Sequence, residues 1–210
     1  MADLHRLLEH TSSLHKHLCP RQVLGVRMGM YAGELLDLEL PQSDKRLFAF
    51  VETDGCFADG VSVASGCWFG HRTMRLDDQG KVAVVFVDTR TERALRIWPS
   101  AEARHLASVL IPDARSHWHA QLEAYQHIPA ADLLCVAEVD LTVCLAAIIS
   151  RPGVRVQCDA CGEEILNERE LVIEGRTLCH HCAGNAYWSL KGESWLQTAL
   201  AEHSTTCVSH

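Results

Sequence analysis

Residues 156–188 read VQCDACGEEILNERELVIEGRTLCHHCAGNAYW. Two Cys-x-x-Cys pairs, Cys158/Cys161 and Cys179/Cys182, stand 17 residues apart. Each pair can present two thiolates to one ion from a tight turn, and four thiolates close a tetrahedral zinc site. Closure leaves no position for a substrate, so the expected zinc is structural, and its binding free energy helps fold a segment too small to stabilise itself. His180 and His181 lie inside the second pair and, with four cysteines at hand, read as bystanders. Between Arg151 and Lys191 five basic residues face six acidic ones, a balance that argues against phosphate-backbone binding and for a packing or protein-docking element.

Outward from this module, Arg151-Pro152-Gly153 reads as a hinge. It predicts a core domain over 1–152, a four-cysteine zinc finger over 153–190 and a tail over 191–210. The chain has 210 residues, 48% hydrophobic and 22% charged, enough for one sizeable core plus a small appendage. The formal net charge of -8 argues against nucleic acid as a partner. The first residues lack a cationic start followed by an apolar run, and no stretch approaches a membrane span, so a cytoplasmic protein is expected. Ten cysteines in a reducing compartment then point to metal binding or thiol chemistry rather than disulfides. Cys135, Cys144 and Cys207 have no partner nearby in sequence and read as buried or incidental thiols.

The core pattern is α+β, a mix of helices with an antiparallel sheet. After a short amphipathic start, PRQVLGVRMGMYAGELLDLEL carries apolar residues at helical spacing, which predicts a helix from about Pro20 to Leu38. LFAFVET reads as a buried strand. DGCFADG is turn-rich, and VSVASG suits a helix or an extended connector. TMRL, DDQG and KVAVVFVDT together predict a hairpin, ALRIW a third strand, and residues 100–127 helix interrupted near Pro112. LLCVAEVDLTVCLAAII reads as an apolar strand-like run ending at the hinge.

Residues 15–20 read HKHLCP. Pro20 suits the first helical position, which leaves Cys19 at the N-cap, beside free amides and the positive end of the helix dipole. That location favours thiolate. His17 and Cys19 are two residues apart and, in an extended approach, share a side. Cys56 in ETDGCFADG and Cys67 in SGCWFG lie in glycine-containing loops able to deliver further sulfur ligands. Spacing alone leaves three readings open: a shared metal site with an open position, a reactive thiol without metal, or ordinary packing.

The ordered set HKHLCPRQVLGVRMG, ETDGCFADGVSVASGCWFG, LDDQGKVAVVF and the four-cysteine module resembles the FmdE family, named for a component of formylmethanofuran dehydrogenase. The resemblance runs from about His15 to Trp188, and the module CDACGEEI…CHHC is also similar to the zinc finger of DksA/TraR-type proteins. The family implies an α+β core, often dimeric, with a metal site. Its His-x-His-x-Cys-Pro motif falls on His15, His17, Cys19 and Pro20, its Asp-Gly-Cys block on Asp54, Gly55 and Cys56, its Gly-Cys pair on Gly66 and Cys67, and its Gly-Lys pair on Gly80 and Lys81.

Carried over, the resemblance implies a core site of His17, Cys19, Cys56 and Cys67 holding a second transition metal, with Cys19, Cys56 and His17 as catalytic candidates. Three departures from the family pattern, Arg21, Trp68 and His71, are candidates for contacting a cofactor or small-molecule ligand. The chain has no molybdopterin-scale domain, ferredoxin spacing or nucleotide-binding glycine loop, so it is not itself the catalytic dehydrogenase. The leading expectation is a zinc-binding accessory protein, a homodimer, that supports a molybdenum or tungsten oxidoreductase or handles its metal or cofactor. The alternatives are an independent metal- or thiolate-dependent enzyme acting on a small molecule or tetrapyrrole-like ligand, and a zinc-finger transcription regulator.

Overall fold

In the computed structural model the described residues are 3–149, 153–189 and 191. The chain divides into two compact units, Met1–Leu145 and Ala146–His210. The predicted 191–210 tail lies outside the described residues apart from Lys191. No helix among the described residues is long and apolar enough to cross a membrane.

The first unit carries helices α1 (Leu4–His15), α2 (Pro20–Leu36), α3 (Cys56–Ser65), α4 (Ala103–Leu110), α5 (His117–His127) and α6 (Ala130–Leu133). Its strands are β1 (Leu47–Val51), β2 (Met74–Leu76), β3 (Val84–Asp88), β4 (Ala94–Pro99) and β5 (Leu134–Val139), in the sheet order β2-β1-β3-β4-β5. All pairings are antiparallel except β1 with β2. That exception corrects the hairpin expected from TMRL and KVAVVFVDT. β1 inserts between the two segments, because the connection from β1 to β2 is helix α3, a crossover that returns the chain parallel. Within the DGCFADGVSVASG stretch Cys56–Ser65 accordingly forms one helix. The apolar run after Leu134 also splits, into β5 and a short helix α7 (Leu145–Ile148).

Strand alternation decides what the helices cover. Leu47, Ala49 and Val51 of β1, Val84 and Phe86 of β3 and Leu95 and Ile97 of β4 belong to one buried cluster with Val23, Val26 and Met28 of α2 and Phe57 and Val61 of α3. The other face carries a bidentate pair between Arg96 and Glu52, with nitrogen–oxygen distances of 2.6 and 2.7 Å, and Arg96 lies over the Trp98 ring. Asp88, buried at the end of β3, is held well below the usual carboxylate range, to about 2. The Arg46 guanidinium is the main cause, aided by the Arg90 amide and Thr91.

The most extensive helix contact is α2 on α3, and glycines set its distance. A Cβ on Gly25 would lie 2.4 Å from the Phe57 carbonyl oxygen, and one on Gly60 2.4 Å from the Gln22 carbonyl oxygen. Gly29 opposes Ala64 one turn further on. The paired positions rise together along both helices, so α2 and α3 run parallel with their N-termini side by side.

The second unit holds two small antiparallel ribbons, β6 (Arg155–Gln157) with β7 (Glu164–Leu166) and β8 (Leu171–Ile173) with β9 (Arg176–Leu178). Among the described residues its buried cluster is Cys158, Ile165 and Leu178, flanked by Cys161, Cys179 and Cys182. So small a core requires a further constraint.

Candidate functional site

The four cysteines of the second unit meet. Their sulfurs all lie within 4.8 Å of one another, with Cys161 and Cys179 4.0 Å apart, close to the roughly 3.8 Å separation of thiolates on a tetrahedral zinc. The Cys179 amide donates to Cys158 Sγ (3.3 Å) and the Cys182 amide to Cys179 Sγ (3.4 Å). Burial raises the Cys158 thiol, but backbone amides of Cys161, Cys179 and Ala160 outweigh it and bring it down to about 6. Burial, followed by its three sulfur neighbours, pushes Cys182 up to about 12. Thiols this crowded ionise together only around a cation, so the donor set fits zinc in a closed, structural site. Among the described residues this is the only group of three or more such side chains placed to hold a metal. His181 stacks on Trp188, with ring centroids 4.3 Å apart.

In the first unit the parallel packing of α2 and α3 brings two N-terminal cysteines together. Cys19 is the N-cap of α2 and buried. Pro20 opens the helix, and the buried Gln22 side chain accepts from the Cys19 amide (2.8 Å) while donating to the Thr11 carbonyl (3.1 Å), which ties α1 to this turn. Cys56 opens α3 after Gly55, whose φ of +76° suits glycine. Burial raises the Cys56 thiol, and its hydrogen bond and charge interaction with Cys19 raise it further. The two thiols are thus direct neighbours.

Both line a cavity of about 620 Å³ together with Arg21, Arg104, Trp118, Gln121 and Tyr125. Its wall is assembled from the N-termini of α2, α3 and α4 and one face of α5. Arg27 fixes α5 by donating to the carbonyls of Tyr125 (2.9 Å) and Ile128 (2.7 Å) at that helix's C-terminal end. Among the described residues the wall holds two arginines and no carboxylate, although the whole chain is acidic.

The remaining sequence candidates lie elsewhere. Cys67 is buried in the core, donates to the Leu47 carbonyl (3.3 Å), and burial raises its thiol to about 11. His17 is exposed and folds back, its Nδ1 2.9 Å from the His15 carbonyl. His15 pairs with Asp59 of α3, and the His15 and His17 rings meet edge to face. Trp68 packs against the core and His71 is exposed, and neither lines the cavity. Of the expected ligand contacts only Arg21 is in the wall. Sequence reading missed Arg104, Trp118, Gln121 and Tyr125, because they come from helices more than 80 residues beyond Cys19 and carry no motif of their own.

Comparison with known proteins places these features. Residues 14–138 match the family described as FmdE, molybdenum formylmethanofuran dehydrogenase operon, and residues 152–187 match the prokaryotic dksA/traR C4-type zinc finger. A relative from Archaeoglobus fulgidus, named "Probable S-adenosyl-L-methionine-binding protein", is 30% identical over 204 residues, covering 89% of this chain. The chain spans 55% of that relative's length. A solved structure of an FmdE-like protein of the tungsten formylmethanofuran dehydrogenase type, from Syntrophus aciditrophicus, shares the fold, with a TM-score of 0.55 at 20% identity over 90% of this chain and 96% of that one.

Proposed function

The chain belongs to the FmdE family, and from that premise we propose that it is a zinc-finger accessory protein for a molybdenum or tungsten oxidoreductase, handling the enzyme's metal or cofactor at Cys19 and Cys56. The observation that carries the reading is the pair of neighbouring thiols in the wall of one open cavity. Two thiolates satisfy half of a tetrahedral ion, so a metal held there keeps positions free for a second ligand or a receiving protein. An incomplete donor set suits transfer, whereas the complete set in the second unit suits structure. The description of the matched family, with its molybdenum formylmethanofuran dehydrogenase operon, supports a partner of this class.

Metal analysis of the full chain tests this. Wild type is expected to bind metal beyond one zinc per chain, and Cys19→Ala and Cys56→Ala each to lose only that excess. A stoichiometry of one zinc after reconstitution with thiophilic metals, identical in all three proteins, sinks the metal-handling reading.

A second reading, a thiolate-dependent enzyme acting on a small molecule, is favoured by the cavity's size, which exceeds the needs of a bare ion. The name of the Archaeoglobus relative would make a nucleoside-sized ligand one such candidate. Turnover abolished by Cys56→Ser in metal-free protein would separate this reading from the first.

A further inference from the structure

The cavity contains more than its thiols require. Arg21, from the first turn of α2, and Arg104, from α4, both line it, and neither guanidinium is paired with a carboxylate among the described residues. Tyr125, from α5, is 2% exposed, yet its hydroxyl makes no hydrogen bond to any described residue. Tyr125 thus presents on the cavity wall a hydroxyl donor that no described residue takes. Trp118, about one turn before Gln121 on the same helix, offers an accessible ring at 44% exposure.

These groups share one preference. Two guanidinium groups and a neutral phenol are donors matched to an oxyanion, the N-termini of α2, α3 and α4 add positive potential, and among the described residues no carboxylate lines the cavity, Asp59 in the first turn of α3 being paired with His15. The volume of about 620 Å³ falls within the range of drug-sized organic ligands and far above a single tetrahedral anion. We propose that the cavity binds an organic anion, a phosphate or carboxylate group held by Arg21, Arg104 and the Tyr125 hydroxyl, with a planar ring against Trp118 and its thiophilic part at Cys19 and Cys56. The inference rests on the cavity being the functional site and adds to it the class of ligand. The Tyr125 hydroxyl is a neutral donor at neutral pH, as a donor to an anion must be, and burial raises it further above its ordinary value even though the Arg104 charge pulls the other way.

The probe is 8-anilinonaphthalene-1-sulfonate, which joins an anion to a planar ring, compared with its uncharged relative N-phenyl-1-naphthylamine on the zinc-loaded full chain. One sulfonate probe is expected per chain. Arg21→Gln and Arg104→Gln each weaken it about fivefold or more, Tyr125→Phe weakens it less, and the uncharged probe is insensitive to all three. Adenosine monophosphate or 1-naphthoate displaces the sulfonate and so assigns the head group as phosphate or carboxylate, whereas adenosine does not displace it. No saturable binding, equal affinity in the arginine variants, or displacement by neither anion overturns the proposal. Metal content, measured on the same wild-type and Cys19→Ala samples, keeps the two readings apart. Arginine-dependent probe binding without a second metal sinks only the metal reading, and a second metal with arginine-independent probe binding sinks only the anion subsite.

Discussion

Replacing Gly60 by alanine tests the idea that backbone-close packing of α2 on α3 builds the thiol site. The added methyl would sit 2.4 Å from the Gln22 carbonyl oxygen and 3.1 Å from the Val26 nitrogen, both backbone atoms that no rotamer change can remove. Reaching ordinary van der Waals distance requires the helices to part by about 1 Å. Because the obstructing atoms are backbone, overpacking here lies in the upper part of the usual range, about 2–3 kcal/mol, and the better helix propensity of alanine returns about 1 kcal/mol. The expected net loss is about 1–2 kcal/mol, together with a weakened Cys19–Cys56 site, since Gln22 carries the Cys19 turn. Gly29 supplies the control. There the new methyl would meet the Ala64 Cβ at 2.6 Å, a side-chain atom. Gly29→Ala is therefore rescued by Ala64→Gly, which moves the methyl from one helix to the other and leaves summed helix propensity unchanged. The coupling energy expected for that pair is about 2 kcal/mol. Urea unfolding followed by helical circular dichroism reads the stability, because α1 to α6 all lie in the first unit. A Gly60→Ala protein as stable as wild type, or a Gly29→Ala/Ala64→Gly double variant no better than Gly29→Ala, would show that these glycines do not set the α2–α3 distance.

Chelation of the zinc, or Cys161→Ala, is expected to unfold the β6–β9 ribbons while leaving the helical signal intact, because Ile165 and Leu178 with Cys158 form too small a core. Limited proteolysis that still spares residues 155–178 after chelation would contradict this. Asp88→Asn should cost about 2 kcal/mol at pH 7. The folded-state pKa of about 2 lies below the unfolded value, so this stabilisation is present above about pH 4 and lost as the pH falls through about 2. The variant and wild type should therefore converge at the acid end of a pH series of unfolding curves. Cys67→Ala is expected to keep the wild-type metal content and to lose about 1 kcal/mol of packing. In the native wild type iodoacetamide should leave Cys67 unmodified at pH 8, since its thiol is buried and raised to about 11, and rapid labelling would place it in an accessible site.

Local chemistry made part of this protein legible along the chain. The two Cys-x-x-Cys pairs needed no tertiary information, because ligand number and turn geometry are properties of short segments, and the sulfurs do converge. Pro20 after Cys19 marked a helix start for the same reason, and α2 begins there with Cys19 as its N-cap. Cys67 shows where such reading stops. Its glycine-flanked position looked like that of Cys56, but one cysteine starts α3 at a cavity and the other follows α3 into the core. Nothing within a few residues distinguishes those fates.

The hairpin expected from TMRL and KVAVVFVDT failed because strand partners are chosen by the sheet. β1, already present, offered both of its edges, and the crossover through α3 made one pairing parallel. The metal-binding module, the main helix and strand segments, and one cysteine at a helix entry are each specified by contacts within a few residues and can be read along the chain. That Cys19 meets Cys56, and that Arg21, Arg104 and Tyr125 face the same space, follows from three-dimensional packing alone. Those meetings depend on two helices packing through glycines and on helices far apart in the chain closing over them, distances that no local pattern encodes.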